Sequence, residues 1–409
     1  MRRVIAVSWE MPPMYGPRGT QVSRVLGQLP SLGWRPTVIC LAPRRGGPHW
    51  TEHAAPLPTD VDLIRVPSPA EWAVMRAAFL AVPALRDYPD AGRLWVRPAA
   101  AAAMRHLSPD NTVLITFAQP WSDHLVGLRL RRATHIPWVA HFSDPWSDSP
   151  YATPRQRAIW RPMEDAVVAA ASALVFVTDE TADLVMRKYP TALHSKVAVV
   201  PHGHRGMLDA SPAGPPDDAS RAMRVLHAGR FYRNVRTPSV FLQALADVHR
   251  RASLQGRIEV TFLGPHADGF STEADRLGVG DFVRFVDRVP VQDAEAAARE
   301  ADVLLVIDAP SDGPSVFLPS KLIDYLPFRK PILGLTPESG ASARLLRRLG
   351  CPVVPPDRSQ VIASTVEDLL RRWESGTLGV GDSFESVAAG YDIRCTARAL
   401  HDVLLRAVA

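Results

Sequence analysis

Residues 302–336, DVLLVIDAPSDGPSVFLPSKLIDYLPFRKPILGLT, constrain the fold more than any other stretch. Residues 302–308 form a short, nearly continuous apolar run, the pattern of a strand buried on both faces of a parallel sheet. A Gly/Pro/Ser loop follows, then a helical pattern opening at Ser320, then a second apolar run over 331–336. Strand, loop, helix and strand in that order put the loop at the carboxyl end of a parallel sheet, where open α/β folds take their ligands. Ser320 reads as an N-cap and Lys321 as the first helical residue, which offers a helix N-terminus beside a cation to a phosphate. Asp324, one turn further on, can accept hydrogen bonds from hydroxyls such as those of a ribose. Pro327 should end the helix early.

The same alternation runs through the whole chain. Apolar runs at 4–8, 37–42, 61–66, 112–117, 137–142, 173–178 and 197–200 read as strands, and a second series lies at 224–228, 258–263, 283–289 and 302–307. With helical patterns between them, these call for doubly wound parallel sheets. A chain of 409 residues exceeds one ordinary core, so two domains of about 200 residues are expected. The Pro-, Gly- and Asp-rich stretch 204–220 reads as a linker, which places the domains at 1–203 and 221–384. Residues 385–409 read as a last helix. Residues 70–85 are amphipathic and punctuated by arginine, and 98–106 are rich in alanine; burial in the domain, lining of the acceptor side or contact with a membrane surface would each suit them.

Hydrophobic residues make up 46% of the chain, and no apolar run approaches the ~20 residues of a spanning helix. The basic tip MRR precedes too short an apolar run to read as a signal peptide, and Glu10 follows, so a cytoplasmic protein is expected. Cys40, Cys351 and Cys395 are scattered without metal-ligand spacing, which argues against disulfides and a zinc site. The net charge of +5 comes mostly from arginine; lysine occurs only at 188, 196, 321 and 330, so Lys321 is a rare residue in a telling place. The excess suits a phosphate-rich ligand or an anionic membrane face, and no nucleic-acid module is visible. GxGxxG followed by a distant acid, Walker A, the nucleophile elbow and HExxH are all missing.

PSKLIDYLPFRKPILGL resembles the Pro-Ser-Lys-hydrophobic-x-acid-Tyr-Leu segment, with its Pro-led strand, of GT-B glycosyltransferases in the GT4-like group (glycosyltransferase family 4). Four further segments resemble the same family, in family order: EMPPMYGPRGTQVSR after the first strand, HFSDPW at 141–146, PHG at 201–203, and GRFYRNVRTP at 229–238. The chain departs from the pattern where Asp324 replaces the usual Glu. Of the paired glutamates of the family signature only Asp324 has a clear counterpart, with Asp312 upstream at uncertain register.

The resemblance implies two Rossmann-like domains facing a cleft, with the C-terminal helix crossing back onto the first. It implies a metal-independent transferase, with no cofactor, that moves a sugar with retention from a nucleotide-sugar donor to a saccharide or lipid-linked acceptor, in cell-envelope or exopolysaccharide assembly. Arg236 and Lys321 would stabilise charge on the departing diphosphate. Gly16, Arg18, Gly19, Gly229, Arg230, Arg233, Ser320 and Asp324 would hold the donor. Asp144 would orient or deprotonate the acceptor hydroxyl, and His141 is either catalytic or a satisfied core histidine. Trp121 and Trp146 either stack on an acceptor sugar or fill the core. A nucleotide-sugar epimerase and a non-catalytic scaffold remain as rival readings, and peripheral contact with the inner membrane face is open.

Overall fold

The computed structural model describes residues 2–14, 16–43, 59–108, 112–208, 221–232, 235–264, 269–311 and 313–408. The chain divides into two compact units, Met1–Gly203 with Ile393–Ala409, and His204–Asp392. From residue 209 onward, the expected linker lies outside the described residues.

The first unit is built on a parallel sheet of seven strands: β1 (Arg2–Val7), β2 (Trp34–Leu41), β3 (Asp62–Val66), β4 (Thr112–Ala118), β5 (Trp138–Phe142), β6 (Ala173–Phe176) and β7 (Val197–Val199), in the order β3-β2-β1-β4-β5-β6-β7. β1 lies in the middle, with Val4 opposite Pro36 on one side and Val113 on the other. Every residue of β4 and β5 is buried, because helices cover both faces of the sheet. One face packs Ile5, Val7, Leu114 and Phe142 under the helices Val96–Met104, Ser122–Thr134 and Pro154–Ala170. The last of these contains Pro162, which breaks the helical pattern in the sequence; a Thr153–Gln156 capping box starts it. On the other face Val4, Ala6, Val113 and Ile115 meet the helices Pro17–Gln28 and Ile393–Val408.

That last helix buries Ile393, Ala397, Leu400 and Leu404 along one stripe, and its His401 Nδ1 accepts from Trp34 Nε1 at 2.8 Å. The single helix read over 385–409 is in fact two, Ser383–Ala389 and Ile393–Val408, interrupted at Gly390. Only the second belongs to the first unit.

The second unit repeats the plan with β8 (Met223–Ala228), β9 (Ile258–Leu263), β10 (Val283–Val286), β11 (Val303–Ile307), β12 (Ile332–Leu335) and the two-residue β13 (Val353–Val354), ordered β10-β9-β8-β11-β12-β13. Phe231, Phe241, Phe262 and Phe270 pack on one face beneath the helices Ser239–Arg251 and Ser359–Glu374; Leu322, Ile323, Leu345 and Leu346 pack on the other. In each sheet the strand order reverses beside the first strand, at β1/β4 and at β8/β11. Open α/β sheets take ligands at the carboxyl ends of the strands at such a reversal.

The helix after β11 spans Ser320–Tyr325, and its N-cap is Pro319 rather than Ser320. Pro319 stays extended at ψ 132 while its carbonyl accepts from Leu322 N–H at 3.0 Å, so Ser320 is already the first helical residue. The helix tightens into a 3₁₀ turn over Leu326–Phe328, where Pro327 sits. Among the described residues no helix is long and apolar enough to cross a membrane.

Candidate active site

In the second unit the site grows from the end of β8. Ala228 N–H donates to the Tyr325 hydroxyl at 2.7 Å, which fixes the strand end against the Ser320–Tyr325 helix. Gly229 then turns the chain at φ +146, and a Cβ there would fall 2.5 Å from Lys321 Nζ. Only glycine permits both the backbone angle and the approach of the ammonium.

Lys321 Nζ lies 3.0 Å from His227 Nε2, and His227 Nδ1 lies 2.9 Å from the Leu305 carbonyl. A carbonyl only accepts, so Nδ1 carries the proton and Nε2 offers a lone pair to Lys321. The imidazole is fully buried and stacks on Phe231 at 4.8 Å. Burial holds the Lys321 ammonium well below its ordinary pKa; Arg236 pushes it further down and Asp308 opposes this. Asp308 follows β11, and burial raises its carboxyl despite Ser342, Arg236, Thr336 and Lys321 beside it.

A tight turn holds Arg236. Its N–H donates to Tyr232 O at 2.8 Å, its Nη2 to Arg230 O at 3.1 Å, and its guanidinium lies 5.3 Å from the Tyr232 ring centroid. Gly229, Arg236 and Lys321 therefore meet at the β8/β11 reversal, with Ser320 and Asp324 on the adjoining helix. Arg230 contributes its carbonyl to the turn while its side chain is exposed, and Arg233 lies outside the described residues.

The first unit carries its own set at the β1/β4 reversal. Arg18 donates to the Ala118 carbonyl at the end of β4, and Asp144, Glu10 and Asp123 surround its charge. Gly16 and Gly19, expected to let backbone approach a ligand, lie against Glu10. A Cβ on Gly16 would lie 2.3 Å from Glu10 Oε2, and one on Gly19 would lie 3.2 Å from the Glu10 carbonyl oxygen. Asp144 accepts from Gln119 Nε2 at 3.2 Å; burial raises its carboxyl and Arg18 pulls it back. His141 sits at the end of β5, 5.0 Å from the Phe117 ring, with burial and Arg18 keeping the imidazole neutral. His202 beside it falls to about 3 through burial, Arg18 and Arg24. A small cavity is lined by Arg18, Gln21, Phe117, His141, His202 and Thr396, among others.

Trp121 and Trp146 do not present themselves to an acceptor. They stack on one another at 4.9 Å and an interplanar angle of 7°, and are 6% and 0% exposed. Their burial beside His124 and Phe142 satisfies large apolar rings inside the domain instead.

Sequence reasoning passed over His227, Asp308, Glu10 and Asp123. Three have a modest signal: His227 and Asp308 are polar residues near the carboxyl end of a largely apolar run, and Asp123 lies in the first turn of the helix after β4.

Residues 19–204 match the model of Glycosyltransferase Family 4. No curated protein matches the chain. Among solved structures, the chain is similar to sucrose-phosphate synthase from Thermosynechococcus elongatus, with 15% identity, TM-score 0.70 and 98% of each chain covered. It is also similar to Anabaena HepE in complex with UDP-glucose, at 14% identity and TM-score 0.65, covering 99% of this chain and 100% of that one. A third is WaaG, a glycosyltransferase involved in lipopolysaccharide biosynthesis, at 15% identity and TM-score 0.62, covering 98% of this chain and 99% of that one. The likenesses establish the fold, and the family match covers the first domain. The chain therefore has the GT-B fold, and its residues 19–204 match Glycosyltransferase Family 4.

Proposed function

We propose that the protein moves a sugar from a nucleoside-diphosphate sugar to a hydroxyl of a saccharide or lipid-linked acceptor, with retention at the anomeric carbon and without a metal, in cell-envelope or exopolysaccharide synthesis. One observation carries the donor half: Lys321 is held at the β8/β11 reversal beside Gly229, close enough to Arg236 for the guanidinium to disfavour the ammonium's charge. Asp308 offsets this incompletely, because burial draws its own carboxyl toward neutrality. A diphosphate relieves the repulsion, and Arg236 suits it by its forked geometry. That HepE was solved with UDP-glucose supports a donor of this class.

In this reading the bond from the anomeric carbon to the β-phosphate oxygen breaks and a bond to the acceptor oxygen forms. Lys321 and Arg236 take up the charge left on the diphosphate, the electrostatic task that in other enzymes a metal performs. Asp324 binds the ribose hydroxyls, with Ser320 and the Gly229 backbone beside the phosphates. Arg18, Gly16 and Gly19 shape the first unit's edge. Asp144 and the neutral His141 are the groups able to orient the acceptor hydroxyl and accept its proton; burial makes Asp144 a stronger base than an ordinary carboxylate.

The test is calorimetric titration of UDP, GDP, ADP, dTDP and their common sugars, on the native protein and on Lys321→Ala. Binding of one nucleoside diphosphate, lost in the variant, supports the donor pocket and identifies the base. Isomerisation of the donor without an acceptor would move the reading to an epimerase. No binding by any of them would leave a non-catalytic scaffold.

A further inference from the structure

The segment that follows β3 gathers large exposed apolar side chains that elsewhere among the described residues are scattered. The helix Ala73–Ala81, sequence AVMRAAFLA, buries only Phe79. Its outward side is apolar: Val74 is 69% exposed and Leu80 74%, with Trp72 just before it at 59% and Val82 just after it at 49%. Leu85 and Tyr88 extend the face. A surface helix of a soluble domain ordinarily turns charged residues outward, and this one carries Arg76 alone. At nine residues it is far too short to span a bilayer.

The charges around the face have one sign. All five arginines of residues 71–105, at 76, 86, 93, 97 and 105, are exposed. Its three acids are withdrawn: Glu71 is buried, Asp87 is half-buried and engaged by Gln156 and Arg155, and Asp90 accepts from Ser122 Oγ at 2.6 Å. Arg93 lies 5.0 Å from the Tyr88 ring centroid, beside the apolar face. Trp160 Nε1 donates to the Asp87 carbonyl at 2.8 Å, and Trp95 Nε1 to the Val66 carbonyl at 3.0 Å, so the segment is fastened to the domain.

We propose that residues 72–88 dock the first domain on an anionic bilayer surface, with Trp72, Val74, Leu80 and Val82 entering the acyl boundary and Arg76, Arg86 and Arg93 on the headgroups. Exposed Trp and aliphatic side chains supply the apolar contact, Trp and Tyr favour the interface, and arginines without exposed acids among them supply the charge complementarity. The segment leaves the sheet at the carboxyl end of β3, the edge that also carries Arg18 after β1 and Asp144 after β5. Docking therefore brings that edge to the headgroup layer. That it serves a lipid-linked acceptor there rests on the transferase reading; binding to the bilayer does not.

The experiment is co-flotation of the full chain with vesicles of phosphatidylglycerol and phosphatidylcholine in equal parts, and with phosphatidylcholine alone. The native protein should float with the mixed vesicles and hardly with the neutral ones. V74E with L80E should abolish flotation, and Arg76→Glu and Arg86→Glu should each weaken it about fivefold or more, the worth of one arginine near such a surface. These side chains are exposed, so thermal unfolding should be unchanged; if the double variant fails to fold, Leu80→Ser carries the test. Absence of native flotation, or flotation indifferent to these changes, overturns the proposal. So does a concentration-dependent dimer in sedimentation that V74E with L80E dissociates, because a second copy then covers the face. UDP titration of each variant separates failure of docking from failure of the donor pocket.

Discussion

Lys321 Nζ and His227 Nε2 lie 3.0 Å apart, with the Leu305 carbonyl holding the imidazole in the tautomer that offers Lys321 a lone pair. The ammonium pKa is depressed by burial first and Arg236 second. The negative charge of a bound diphosphate offsets both influences and raises that pKa, so between the free and bound values binding takes up protons. Calorimetry of UDP binding in buffers of different ionisation enthalpy should show net uptake, and Lys321→Ala should remove it while weakening binding by about 1.5–3 kcal/mol. Proton release on binding would contradict this assignment.

Gly229→Ala puts a methyl 2.5 Å from Lys321 Nζ on a backbone at φ +146. The strain should cost about 1–3 kcal/mol of stability in urea unfolding, and displacement of Lys321 should weaken nucleotide binding beyond that effect. Unchanged affinity in a folded variant would detach Gly229 from the donor site.

Trp146→Ala should behave as a core substitution. Its ring is fully buried against Trp121, so loss of about 3–5 kcal/mol in chemical denaturation is expected. A variant of native stability with only a raised KM for acceptor would restore the ring to the binding surface.

Asp123 gives a pH signature. Burial raises its carboxyl well above the ordinary range; Asp90 and Glu10 add to this, while the Trp9 N–H at 2.8 Å and Arg18 oppose it. A carboxyl raised on folding stabilises the protein below its unfolded pKa and loses that contribution as pH rises through the folded value. Asn cannot titrate, so the stability of Asp123→Asn relative to the parent should increase with pH across a series of urea titrations. A constant difference would show that Asp123 does not change charge over that range.

If the transferase reading holds, chelation should leave the rate of sugar transfer unchanged, since Lys321 and Arg236 supply the charge on the leaving diphosphate. A rate restored only by added divalent cation would place that task elsewhere.

The strands were legible because burial on both faces writes them as apolar runs: the pattern over 258–263 coincides with β9. β13 escaped because two residues make no period, and the helix Pro154–Ala170 because Pro162 interrupts it. At the site, Lys321 stood out by rarity and by its place at a helix start, while Arg236 and Gly229 were named only through the family resemblance. His227 could not be read, since its role depends on Leu305 and Lys321, which are far from it in sequence. Trp121 and Trp146 misled for the complementary reason: a tryptophan near a loop looks the same whether its ring faces water or another ring.

The helix Ile393–Val408 completes the apolar layer formed by Val4, Val22, Val25, Val113 and Ile115, yet it is made after the whole of His204–Asp392. During synthesis the first domain must therefore wait, on the order of ten seconds or more at ordinary elongation rates, with that layer uncovered. The domain that emerges first from the ribosome finishes folding last. A chain cut short between Gly203 and Ile393 would lose part of the core of its beginning rather than merely its end.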